Sequence, residues 1–541
     1  MAPIERSPNH TISSILARRA TLDPGGTFLL ANDAPVSFGD IDDQSDALAA
    51  SLANLGVEPG DRIALLLPPW PEFAVSVFAA AKLGATIVPL NPRLTLPELR
   101  YMLRHSGAAC AVTAETAYDT DYLQIFEDLL VELPELSHLV TVGEEDLWYD
   151  DRVFQWEDLL SAGLGRDFRA HAASPGDPFA IVYTSGTTGK PKGVELTHRG
   201  LIHAARETAA AARLESGDVV VGIGALFHVF GLGPGLIGTL LGGATLVLHD
   251  GLDARRTLEL AERHGATVHC GVPTLFAREL PHIRERGGAP GNLRLCLASG
   301  APVRDDLARR IERTFGVPLL IAYSLTEASS TLAMGRLDDP PDKRTLTVGR
   351  PVADTHLRVT EEDGEDLPPE SVGEIRVRGP GVMRGYYRQP RETAAATDRQ
   401  GYLRTGDIGM VDEEGCLHIV GRREDVMIRG GSNVHAREVE DRLLAHPAVE
   451  RGAVVGISDE ILGEAICACV VRVEGGVVTE SELRSWCALA LAEYKVPDLV
   501  TFMEDLPLTG TGRVWRHELA RRVSAERPRP VPGEREDKQQ D

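Results

Sequence analysis

The chain has 541 residues, of which 43% are hydrophobic and 25% charged, with a formal net charge of −24 and seven Cys. Its length suffices for about three or four domain-sized units and a substantial core. The acidic balance argues against nucleic acid or an anionic membrane as the main partner. An anionic ligand must therefore be met by local positive charge. Six of the 56 basic residues are Lys, and three of them, Lys190, Lys192 and Lys495, fall in stretches singled out below.

The Cys count is odd and no CxxC pair with metal-ligand spacing occurs, which fits a reducing compartment. The opening MAPIERSPNH has no apolar signal segment, so a cytoplasmic location is expected. QSDALAASLANLGV then reads as a helix ending at Gly56, EPGDRIALLLPP as a turn and buried strand, and Pro71 to Leu83 as a helix. ATIVPL is a second strand, LPELRYMLRHSG an amphipathic helix and AACAVTA another strand. Such alternation predicts an α/β fold with a doubly wound parallel sheet. Residues 115–170 are less regular and more acidic.

Residues 179–198, FAIVYTSGTTGKPKGVELTH, start as a buried strand and break at Thr184 into Gly, hydroxyl and Lys residues. Free N–H groups, hydroxyls and two Lys suit a cluster of anionic oxygens. A plain polar turn is the alternative reading. With a helical pattern from about His198, the order expected is strand, loop, helix. Two residues separate Gly186 from Gly189, so this is no Walker A loop.

Further on, DVVVGIGAL, GATLVLH, TVHCGV, LRLCLASG and VPLLIAYS read as strands. Phe227 to Leu248 carries only His228 among ionisable residues. It is long enough to cross a bilayer, but its repeated Gly and Pro234 favour a buried helix and strand. From about Leu357, HLRVT, GEIRVRG and CLHIVG predict a β-rich subdomain, and residues 425–520 an α+β unit. The expected domains are 1–423, with the β-rich part at about 350–423, then 424–525, then a disordered tail 526–541.

Several short strings carry chemistry. AYSLTEA sets Thr326 and Glu327 at the end of a buried strand, where α/β sheets meet ligands. In YLRTGD, Asp407 after Gly406 reads either as a turn residue or as a bidentate acceptor. In FHVFGL, His228 alone reads first as a core histidine. IVGRREDVMIRGG and LPLTGTGRVWRHEL complete the set.

Together with YTSGTTGKPKG, these strings resemble, in order and over about residues 12–520, the motifs of the adenylate-forming superfamily: acyl-CoA synthetases, adenylation domains and luciferases. The resemblance implies a large N-terminal domain of αβαβα layers with a β subdomain, a small mobile α+β C-terminal domain, and ATP, Mg²⁺ and CoA. It implies that Thr184, Ser185, Gly186, Thr187, Thr188, Lys190 and Lys192 hold the β/γ-phosphates and departing pyrophosphate. Thr326 would contact the α-phosphate and Glu327 would hold Mg²⁺. Tyr323, Gly300, Ala301 and Pro302 would border adenine. Asp407 would accept from the ribose, and Arg422 would contact the nucleotide. Glu424 would be the hinge between domains. The acid pocket would comprise His228, Phe230, Gly231, Val272, Ala298, Ser299 and Ser324, and the thiol side Gly430, Gly431 and Lys495.

Two positions depart from the pattern. Ser324 replaces a family Gly, adding bulk and a hydroxyl to the acid pocket. Arg513 replaces a family Lys that bridges the acid's carboxylate and the α-phosphate. Arg keeps the charge but is planar and bulkier. It either does the same job less well, or suits an acid that fits a forked donor, or marks impaired adenylation. The activity implied is an acid–CoA ligase for a fatty or other hydrophobic acid, acting as monomer or homodimer without nucleic acid or membrane insertion. The alternatives are an enzyme that loads a carrier protein in trans or activates nitrite, and an adenylation-impaired binding homologue.

Overall fold

The computed structural model describes residues 9–143, 150–166, 168–184, 191–250, 253–301, 303, 305–361, 364–422, 426–507, 514 and 516–526. The chain divides near residue 424 into two compact units.

The larger unit is built on two big sheets. One is eight-stranded, with Thr86–Pro89, Arg62–Leu66, Cys110–Ala114 and His138–Val142 in parallel at its centre. The other is nine-stranded, with Val219–Val221, Val268–Gly271, Leu295–Ala298 and Leu319–Leu325 in parallel. Helices alternate with these strands, and the parallel strands are mostly apolar and buried, as strands covered on both faces require. The fold expected from sequence is thus present as a layered α/β body. The helices start and stop where local chemistry dictates. Thr95 and Glu98 form a capping box before Leu96–Ser106, and Gly107 closes that helix in the left-handed region. Pro71 opens Pro71–Leu83, and Gly84 ends it.

A four-stranded antiparallel sheet follows, of His356–Thr360, Gly373–Arg378, Leu403–Val411 and Leu417–Arg422. The smaller unit has Val449–Asp459 and Gly463–Arg472 as its long central hairpin, with Leu499–Phe502 added in parallel. Ala436–Leu444 packs on this sheet, and Ile466, Ala468 and Val470 are fully buried. The AICACVV run is thus core strand. Among the described residues no helix is long and apolar enough to cross a membrane. The apolar stretch after Phe227 is a π-helix, Gly231–Ile237, a short α-helix, Gly238–Gly242, and the buried strand Thr245–Leu248.

One local expectation is corrected. The segment after Tyr183 is not strand, loop, helix. Pro178–Thr184 is followed by a second strand, Lys192–Thr197, antiparallel to it, and only then by the helix His198–Ala211. The period-two pattern Val194, Leu196 turns apolar side chains inward, a signal hidden by the Gly and Lys before it.

Candidate active site

The nine-stranded sheet brings three parallel strands side by side, with Gly271, Ala298 and Ile321 in register near their carboxyl ends. Just beyond lie Val272, Ser299–Gly300 and Ser324–Glu327. This is where an α/β sheet offers its ligand crevice. Leu319–Leu325 turns into a short 3₁₀ turn, Thr326–Ala328, and returns as the antiparallel strand Ser330–Met334. Register slips between Tyr323 and Ser324, where Leu332 is the extra residue on the returning strand. Bulges of this kind re-aim side chains.

Tyr323 Oη donates to Asp407 Oδ2 at 2.6 Å, within the interior. A carboxylate acceptor makes this bond short and strong. Two nucleotide candidates 84 residues apart are thereby joined. Asp407 is 3% exposed, and its strand position faces Arg422 in the neighbouring strand. Thr326 is buried, Glu327 half-buried.

Glu327 is positioned by a residue that the sequence reading missed. Tyr386 Oη donates to Glu327 Oε1 at 3.0 Å, and Lys192 Nζ stands 4.6 Å from the centre of the same Tyr386 ring. Tyr386 belongs to the two-residue strand Gly385–Tyr386, which pairs with Val194 and Glu195. Its sequence context, GYY, carries no local chemical signal; only the tertiary pairing exposes its role. Among the described residues no group of three His, Cys, Asp or Glu could hold a metal. One hard carboxylate nevertheless suits Mg²⁺, which is usually held by one or two carboxylates and a substrate's own phosphates.

The loop itself, Ser185 to Lys190, lies outside the described residues, as do Pro302, Glu424 and Arg513. Its two ends are tied down. Thr184 pairs with Lys192. Tyr183 Oη donates to the Met102 carbonyl at 3.1 Å and lies 2.8 Å from His105 Nδ1. Tyr101 Oη donates to the Pro191 carbonyl at 3.1 Å. Tyr101 therefore anchors the exit of the loop from a distant helix. Losing one such bond costs about 1 kcal/mol, so Tyr101→Phe is expected to raise the KM for ATP about fivefold, with little change in melting temperature. Steady-state kinetics with ATP as the varied substrate checks this.

His228 and Phe230 lie just before the π-helix Gly231–Ile237, a distortion often found at functional sites. Gly231 is required there: a Cβ would lie 2.1 Å from the Ala225 carbonyl oxygen. His228 Nδ1 accepts from the Phe230 N–H at 3.4 Å, which leaves the neutral ring's proton on Nε2 as a donor. Burial pushes His228 down to about 4, and does the same to His198 and His249. The unfolded chain takes up these protons first as pH falls through the ordinary value of 6.5. Stability is therefore fully present above about pH 6.5 and is lost progressively down to about pH 4. Thermal melts from neutral to mildly acidic buffer should show a falling melting temperature, and one that holds constant would contradict the assignment.

Ser299, fully buried, lies 3.0 Å from Ser324 Oγ and donates to the Ala322 carbonyl at 3.2 Å. A Cβ on Gly300 would touch Val272 at 3.5 Å. Val272, Ser299, Gly300 and Ser324 are therefore neighbours, and Ala298, directly before Ser299, is part of the buried strand beneath them. Ala301 follows Gly300 at the surface of the same end, half-buried.

In the smaller unit, Gly430 and Gly431 form a two-residue hairpin loop between Arg429 and Ser432, with φ of 57° and 82°. Two positive φ values in succession are what such a tight loop demands. Lys495 is 2% exposed and donates to Glu438 Oε1 at 2.9 Å. It is turned inward, and its pairing with Glu438 holds the segment before Leu499–Phe502 to the helix Ala436–Leu444.

Residues 16–387 match the family model of the AMP-binding enzymes, and residues 438–513 that of the AMP-binding enzyme C-terminal domain. A feruloyl-CoA synthase of an Amycolatopsis species is 34% identical over 516 residues, 95% of this chain and 99% of that protein. The salicyl-AMP ligase / salicyl-S-ArCP synthetase of Mycobacterium tuberculosis is 33% identical, over 91% of this chain and 87% of that one. Among solved structures, an o-succinylbenzoate CoA synthetase from Bacillus subtilis, bound to a product analogue, superposes with a TM-score of 0.80 at 28% identity. That match covers 93% of this chain and 97% of the other.

Proposed function

The chain belongs to the AMP-binding, adenylate-forming enzymes, and from that premise we propose that it is an ATP-dependent acid–CoA ligase acting on a hydrophobic carboxylic acid, fatty or aromatic. The observation that carries this reading is the convergence at one sheet end of three contacts, which we read as a ribose acceptor, a metal-type carboxylate and a pocket wall. These are Asp407 bonded to Tyr323, Glu327 held by Tyr386 beside Lys192, and Ser299 with Ser324.

A carboxylate is a poor electrophile, so it is first activated. One of its oxygens attacks the α-phosphorus of ATP, the bond to the β-phosphate breaks, and pyrophosphate leaves. In this reading Asp407 and Tyr323 fix the ribose and adenine, with Gly300, Ala301 and Pro302 bordering the base and Arg422 alongside. Thr326 donates to the α-phosphate. Thr184 to Thr188, Lys190 and Lys192 hold the β/γ-phosphates, and Glu327 would hold Mg²⁺, which would offset their charge. Arg513 bridges the carboxylate and the α-phosphate as negative charge shifts between them. His228, Phe230, Gly231, Val272 and Ala298 enclose the acid. The thiol of CoA then attacks the acyl carbon, AMP leaves with the oxygen it gained, and the thiol proton is released.

Rotation of the smaller unit about Glu424 would exchange the Arg513 segment for the Gly430–Gly431 hairpin between the two steps, so that one site serves both. Lys495, through Glu438, would then act as a support of that face. The work would be done in the cytoplasm, by a monomer or homodimer.

A second acceptor has support from the carrier-protein synthetase among the relatives: a carrier protein in trans could replace CoA. ATP–pyrophosphate exchange across a panel of acids, followed by addition of CoA, tests the reading. Acid-dependent exchange and a CoA thioester are expected. Exchange without thioester would move the acceptor to a carrier protein. Nucleotide binding without exchange for any acid would overturn the ligase reading.

A further inference from the structure

We propose that the Ser299–Ser324 pair selects an acid whose body carries a hydrogen-bond donor, a hydroxyl or amino group, over a plain alkanoate or an unsubstituted ring. The proposal rests on the ligase reading above and narrows its substrate class.

Consecutive residues of Leu319–Leu325 point to opposite faces. Tyr323 thus goes to Asp407 on one side, while Ser324 meets Ser299 on the other. Each hydroxyl has one proton and two acceptor sites. Ser299, fully buried, spends its proton on the Ala322 carbonyl, which can only accept. The 3.0 Å contact between the two hydroxyls is therefore made by the proton of Ser324. Both donors of the relay are then committed inward. What Ser324, the half-buried end of the relay, turns toward the pocket is acceptor only.

A site finished by an acceptor favours a ligand that donates and leaves a polar group unpaired against one that does not. The family's Gly would offer neither the acceptor nor the bulk. An extra side chain at this depth also shortens the space for an unbranched chain.

The test compares kcat/KM in pyrophosphate exchange for acids differing in one substituent: cinnamate, 4-hydroxycinnamate and 4-methoxycinnamate; benzoate with its hydroxy, amino and methoxy forms; and octanoate. In the wild-type enzyme a hydroxy or amino acid should exceed both its unsubstituted and its methoxy counterpart by about tenfold or more. In Ser324→Ala that ratio should fall to within about twofold, whatever the absolute rates. Ser299→Ala releases the Ser324 proton, so the methoxy acid, an acceptor, should gain relative to the hydroxy acid. Preference for octanoate or the unsubstituted acids, or a ratio unchanged in Ser324→Ala, overturns the proposal and leaves the ligase reading standing. Absence of exchange with every acid overturns both.

Discussion

Arg513→Ala is expected to lower acid-dependent ATP–pyrophosphate exchange by about 10²–10³-fold while sparing thioester formation from a supplied acyl-adenylate. The split follows from the role proposed for the side chain. Negative charge moves from the carboxylate to the phosphate only in the first step, so a cation bridging the two is needed there and not when the thiol attacks. Loss of a charged stabiliser in a dry site costs several kcal/mol, since no water replaces it. Arg513→Lys keeps the charge and should stay within about tenfold of wild type in either direction. An Ala variant that retains exchange within tenfold would show that Arg513 takes no part in adenylation. A loss of both half-reactions together would point to folding or binding instead. The comparison also decides among the readings of this departure, since an adenylation-impaired homologue would show no exchange to lose and would gain it with Lys.

Asp407→Ala is expected to cut kcat/KM for ATP by about 10²-fold or more, because hydrogen bonds to a charged group contribute about 1.5–3 kcal/mol each. Asp407 is almost wholly buried and already holds the Tyr323 hydroxyl. Its removal deprives the ribose of an acceptor and at the same time releases the Tyr323 ring from its fixed position. Sugar-modified nucleotides separate these effects. The wild-type enzyme should discriminate strongly between ATP and its 2′- and 3′-deoxy analogues, and the variant should not. Tyr323→Phe keeps the ring and the carboxylate but removes the bond between them, so it should retain the discrimination with a milder loss. Discrimination that persists in Asp407→Ala would remove Asp407 from the ribose.

Much of this site is legible in the sequence, and the reason is local. Strand and turn signals place Thr326 and Glu327 at a strand's end, and the motif strings group them with Asp407, which lies within the strand Leu403–Val411. What is not legible comes from tertiary approach. Tyr386 reaches Glu327 across 59 positions, Tyr101 reaches Pro191 across 90, and Ser299 reaches Ser324 across 25. None of these residues has a neighbour in sequence that announces the contact. The strand Lys192–Thr197 is missed for a different reason: its start is written in loop chemistry, and only Val194 and Leu196 betray the pleat. The ion pair of the buried Lys495 with Glu438, 57 positions away, is likewise unannounced.

The pairing of Tyr386 with both Glu327 and Lys192 links the carboxylate to the strand that starts at Lys192 through one ring. That geometry gives the two-residue strand Gly385–Tyr386, which lies against Lys192–Thr197, a role beyond packing on the core. It holds the base of the loop and the carboxylate in fixed relation.

The central claim, that a carboxylate oxygen of the acid attacks the α-phosphorus, is tested most directly by isotope transfer. The acid is labelled with ¹⁸O in its carboxylate and turned over with ATP and CoA, and the AMP and thioester are weighed. Adenylation predicts one ¹⁸O in the phosphate of AMP and the other in the thioester carbonyl. AMP without label, formed in step with product, would contradict it.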